Sequence, residues 1–119
     1  MINEHKKYVL SLKKYLTPLG FSLKTDSDYT VVFENHDGWK VAVDAERYYS
    51  GVFRWMYSPN NSHPYSILLL IKIYEEEFGE KIILNSYDGW IKFIKDHHKW
   101  LFDKTQPYKK RHDELDCEF

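Results

Sequence analysis

The residues of this chain whose types could do chemistry are six histidines and a band of mixed charge between residues 29 and 55. His97 and His98 are adjacent, so on a helix they point about 100° apart. A helical zinc pair needs histidines four residues apart, and no cysteine or carboxylate spacing completes a site around these two. His36 and Asp37, with Glu34 nearby, fall in or beside "NHDG", while His63 precedes Pro64 in the loop "PNNSHP". General acid–base work needs a positioned group sheltered from water, and a hairpin tip is the opposite environment. There is no G-x-S-x-G elbow and no phosphate-binding glycine loop; the five glycines are scattered. Cys117 lies too near a polar terminus to occupy a prepared pocket. The expectation is no catalytic group, no metal site and no cofactor.

The band itself reads differently. In "YTVVFENHDGWKVAVDAER", facing Trp39, Val41 and Val43 one way turns Asp44 and Glu46 the other. Glu34 comes from the preceding strand, and Arg47, Tyr48, Tyr49, Arg54 and Trp55 come from the next turn and strand. Rings and arginines that anchor, mixed with carboxylates that steer, compose a binding surface. The same composition also fits a polar sheet face with incidental aromatics. The candidate partner-binding set is therefore Glu34, Asp44, Glu46, Arg47, Tyr48, Tyr49, Arg54 and Trp55.

The elements that must position these residues follow from periodicity. Tyr8, Leu12, Tyr15, Leu16 and Leu19, with Val9, predict a helix over 4–17 capped by Asn3 and stopped by "TPLG". Phe21 and Leu23 alternate, "TDSD" reads as a loop, and Tyr29, Val31 and Phe33 alternate again. Asp37-Gly38 signals a tight hairpin leading into a strand with Trp39, Val41, Val43 and Ala45 on one face. "VFRWMYS" is a further strand with faces Phe53/Trp55/Tyr57 and Val52/Arg54/Met56. "PYSILLLIKIYEEEFG" predicts a buried helix opening at Pro64 and closing at Gly79, with "EEE" as its solvated end. Tyr87, Trp90, Phe93, Ile94, His97 and Leu101 predict one further helix over 86–103. The result is an α+β domain over 1–106: an N-terminal helix, an antiparallel sheet of three to four strands and two C-terminal helices packed on one face. Residues 107–119 read as a loosely ordered charged tail.

Bulk properties narrow the function classes. The 119 residues suit one domain. With 17 basic against 18 acidic residues and a net charge of −1, there is no basic excess of the kind that drives nucleic-acid or anionic-membrane binding. Aromatics reach 18%, more than a small core easily hides, and Tyr and Trp are favoured where proteins meet partners. One cysteine rules out an internal disulfide, "MINEHKKY" lacks a signal-peptide core, and the longest apolar run, "ILLLI", is far short of a membrane span. A cytoplasmic protein is expected.

A short helix ending in "LGF", then "YTVVFEN", then "WKVAVDAER" and a closing helical half resemble small immunity proteins of bacterial toxin systems. Polymorphic-toxin and contact-dependent growth inhibition systems are among these. The resemblance lies in the order of elements over roughly residues 8 to 78 and carries no diagnostic motif. It implies a cytoplasmic single domain without cofactor that binds one cognate toxin domain, often a nuclease, and blocks its active site or groove. It assigns no contact residue. Two other classes fit the residues: a small hydrolase or nuclease using His36, His63 or His97 with nearby acids, and an adaptor subunit joining a larger complex through its aromatic face.

Overall fold

The computed structural model describes residues 6–45, 52–59 and 64–117, with the backbone alone for Val52 and Cys117. Helix α1 (Lys6–Leu16) buries Val9, Leu12 and Leu16, and a 3-10 turn at Thr17–Leu19 ends on left-handed Gly20. The expected Asn3 cap lies outside the described residues. Strands β1 (Phe21–Asp26), β2 (Thr30–Asn35), β3 (Lys40–Ala45), β4 (Val52–Tyr57) and β5 (Tyr65–Ser66) form one sheet in chain order, every neighbour antiparallel. Helices α2 (Ile67–Phe78), α3 (Gly89–Asp96), α4 (His98–Leu101) and α5 (Lys109–Cys117) follow.

The predicted α+β class is observed, and the differences lie in element count and bounds. Helix α2 starts at Ile67, not at Pro64, because Tyr65 and Ser66 pair with Met56 and Trp55 as a fifth strand. Ser66 then caps α2 through its hydroxyl, which accepts from the Leu69 amide. Thr25 and Asp26, read as loop, extend β1 past an irregularity between Leu23 and Thr25. The single helix expected over 86–103 is broken at His97, which sits at φ −121° and ψ 27° between α3 and α4. Its ring lies 4.1 Å from Tyr74 and 5.0 Å from Phe93, and Trp100 packs on both Tyr74 and Tyr108. The break lets both rings reach Tyr74.

Residues 109–117, expected to be loose, form α5, which packs on α2 and buries His112 and Leu115. The acidic end of α2 is part of this anchoring. Glu75 accepts the Ile82 amide at 2.9 Å, tying down the segment after the helix, and Glu76 pairs with Arg111 at 3.3 Å.

Inward residues form rows across the sheet. Leu23, Phe33, Val41, Met56 and Tyr65 are successive cross-strand neighbours, and Val31 faces Val43 in the next row. Apart from half-buried Leu23, all of these are buried against the helices, with Leu12, Leu70, Ile71, Ile91 and Phe93 on the other side. Burying a large aliphatic or aromatic side chain contributes about 1.5–3 kcal/mol, so this one-sided core is the main source of stability.

Two expectations test these contacts. Gly38 closes the β2–β3 hairpin at φ +93°, and a Cβ there would lie 3.2 Å from Pro59 Cβ, whereas Gly79 at φ +66° has open space. Gly79→Ala should cost about 1 kcal/mol from the left-handed conformation alone. Gly38→Ala should cost about 2 kcal/mol or more, read as a larger drop in the urea midpoint. In the turn before α5, the Thr105 amide and hydroxyl donate to Asp103, and these bonds hold its carboxyl below the ordinary range. The lowered value means the turn is fully favoured above the ordinary Asp pKa of about 3.9 and weakens as pH falls through the lowered one. Thr105→Ala should move the Asp103 titration upward in an NMR pH series.

Candidate functional site

With the helices on one side, the alternation of the strands sends a second set of side chains to the other. Thr25, Val32, Ala42 and Trp55 form one outward row, and Thr30, Asp44 and Phe53 form the next. Glu34, Lys40 and Tyr57 form the third. No described helix lies over these rows. Ala42 sits between Val32 and Trp55 and is itself buried, so its small side chain leaves a shallow depression of about 400 Å³. Lys24, Glu34, Lys40, Asp44 and Tyr57 line it with the Thr25 and Thr30 hydroxyls.

Two features give this face a chemical direction. Phe53, 46% exposed, stacks on half-buried Trp55 with centroids 6.2 Å apart and planes at 12°. Beside Phe53 is Asp44, one of whose carboxylate oxygens accepts the Thr30 hydroxyl at 2.9 Å. Its cross-strand neighbours, Thr30 and Phe53, carry no charge. Glu34, by contrast, lies opposite Lys40. Burial, and secondarily the Asp44 carboxylate, push the Tyr57 phenol above its ordinary pKa, so it remains a neutral hydrogen-bonding group near neutral pH.

Of the residues expected to bind a partner, Glu34, Asp44 and Trp55 share this face. Arg54 does not. It stands opposite Val43 on the inward side, with its guanidinium carbon 5.3 Å from the Trp90 ring centroid and its Nε buried without a hydrogen-bond partner. An odd number of residues from Trp55 or Phe53 necessarily places it on the other face of the pleat. Glu46, Arg47, Tyr48 and Tyr49 lie outside the described residues. The face also holds Phe53, Tyr57, Thr30 and Ala42, which composition alone passed over. The period-2 alternation of "VFRWMY" already groups Phe53 and Tyr57 with Trp55.

The described histidines are dispersed. The His36 side chain is 80% exposed at the hairpin tip, with Nε2 3.6 Å from Asp37 Oδ1. His97 lies among the rings of Tyr74 and Phe93, and His98 Nδ1 donates to the Lys95 carbonyl at 2.9 Å. His112, on α5, is buried. Among the described residues, no three His, Cys, Asp or Glu side chains converge as a metal site. Among the described residues, no helix is long and apolar enough to cross a membrane. No protein-family model, curated protein or solved structure matches the chain.

The opposite placements of Arg54 and its neighbours lead to a stability test. Arg54→Met keeps the apolar stem near Trp90 and removes a buried donor that has no acceptor, so it should equal or exceed the wild type in stability. Arg54→Ala loses the stem and the ring contact and should cost about 1–2 kcal/mol. Phe53→Ala and Trp55→Ala, on the open face, should each change stability by less than about 1.5 kcal/mol. Urea unfolding of the four variants checks the ranking.

Proposed function

We propose that this chain is a bacterial immunity protein that binds a cognate toxin domain through the open face of its sheet and performs no catalysis of its own. The observation that carries this reading is the uncovered face with the Phe53–Trp55 stack beside Asp44. A sheet face normally gains stability by burial against another layer. Here exposed and half-buried rings stand on a surface already ordered by the sheet, so docking sacrifices little conformational entropy. The resemblance in the order of elements over residues 8 to 78 points the same way.

The chemistry of the face supports one class of partner. Asp44 calls for a cationic group, and the Phe53–Trp55 stack calls for apolar or planar surface next to it. Val32 and Ala42 supply the floor. A toxin that acts on nucleic acid carries clustered Lys and Arg to attract phosphate, and one such side chain reaching Asp44 satisfies both demands. Lys24 and Lys40 on the same face call for acceptors at the partner's rim, which fixes orientation more than affinity.

Co-expression with the product of the gene immediately upstream tests the reading. That product should be toxic alone, should be neutralised by this chain, and should co-purify with it. Asp44→Asn, Phe53→Ala and Trp55→Ala should each weaken the complex about tenfold or more, about 1.4 kcal/mol, and Ala42→Arg should block it by filling the depression. His36→Ala and His97→Ala should leave protection intact. An upstream product that is harmless or does not associate overturns the proposal, as does protection that depends on the histidines and ignores the sheet face.

A further inference from the structure

Strand β5 closes the sheet order, so its outer edge would present unpaired backbone groups to water or to another strand. At Ser66 that edge is capped by a side chain: the Ser66 amide donates to His112 Nε2 at 2.9 Å. The imidazole is 1% exposed and meets the Tyr65 ring edge-on at 4.9 Å. Tyr65 in turn packs edge-on against Tyr108, and its hydroxyl donates to Gln106. A nitrogen that accepts an amide N–H carries a lone pair and no proton, so docked His112 is neutral, with its hydrogen on Nδ1. Protonation would set two N–H groups against each other inside a closed contact.

Among the described residues of α5, Leu115 is the other buried side chain. Arg111 pairs with Glu76 and Glu114 at 3.3 Å, but these side chains are 44–49% exposed, and such surface pairs contribute little. Among the described residues, half-exposed Asp113 has its Oδ1 3.8 Å from Nδ1, Glu76 and Arg111 pair at the α2–α5 surface, the Tyr65 ring meets the imidazole, and Tyr108 packs on Tyr65. Asp113 can favour an imidazolium at Nδ1, yet it offers nothing at Nε2, where the Ser66 amide stands.

We infer that α5 is a pH-released clasp: neutral His112 locks it over the β5 edge, and acidification undocks it and uncovers Ser66, Tyr65 and Tyr108. The sign follows from which form binds protons. The undocked imidazole takes up a proton near the ordinary histidine value of about 6.5, while the docked one excludes it. Docking is therefore fully favoured above that value and lost as pH falls below it. Between pH 7.5 and 5.5 the docking equilibrium should fall about tenfold.

Hydrogen exchange on the full chain reads this directly. After correction for intrinsic rates, protection of the Ser66 and α5 amides should drop about tenfold from pH 7.5 to 5.5. The same comparison should be flat in His112→Gln, whose amide oxygen can accept the Ser66 N–H but does not titrate. Equal wild-type protection at both pH values overturns the inference, and so does an equal drop in the Gln variant. Should that variant not fold, imidazole 15N spectra of the wild type decide the matter. His112 should stay unprotonated at Nε2 while α5 is docked and become cationic over the pH range in which α5 protection is lost. Protonation with α5 protection unchanged overturns the inference. None of these outcomes depends on the toxin-binding proposal.

Discussion

The pleat of a single sheet governs this molecule, because each strand has only two sides and the helices occupy one of them. Leu23, Phe33, Val41, Met56 and Tyr65 line up across all five strands and provide the floor on which α1, α2 and α3 pack. A one-residue slip in any strand would turn its part of that row to solvent. The register is held at the β2–β3 hairpin, where Asn35 Oδ1 accepts the Asp37 and Trp39 amides and Gly38 supplies the left-handed residue. Everything on the open face inherits its position from that hairpin.

The same constraint explains why the open face has its chemistry. Fixing Val41 and Val43 inward forces Lys40, Ala42 and Asp44 outward, and pairing then brings Trp55 and Phe53 alongside Ala42 and Asp44. Four strands thus contribute to one surface without a loop having to be ordered. Its groups lie spread over a shallow depression, where water competes for every hydrogen bond.

The sheet ends in a different style. Helix α5 is strongly polar, yet among its described residues His112 and Leu115 are buried, and His112 meets the β5 edge at Ser66. Tyr108, just before it, donates to the Leu101 carbonyl, and burial pushes its phenol well above the ordinary range, so that bond persists through all ordinary pH. The result is an edge cover whose approach is fixed by a non-titrating group and whose final contact is made by a titrating one.

Much of this was written locally. Alternation in "YTVVFEN" and "WKVAVDA", the Asp-Gly turn and the helical spacing of Leu12 and Leu16 determined the α+β class and the inward face of each central strand, because side-chain direction has a fixed local period. Register and docking were decided only in three dimensions. Nothing in "PYSILLL" announces that two residues will pair with Trp55 and Met56 before the helix begins, since the energy of a strand that short lies in its partner. The separation of Arg54 from Trp55 was available in the alternation and was obscured by grouping residues by charge and aromaticity. The fate of residues 109–117 was not available at all: a helix this polar has no stripe that demands burial, and it is ordered by a tertiary hydrogen bond from an amide 46 residues earlier in the chain.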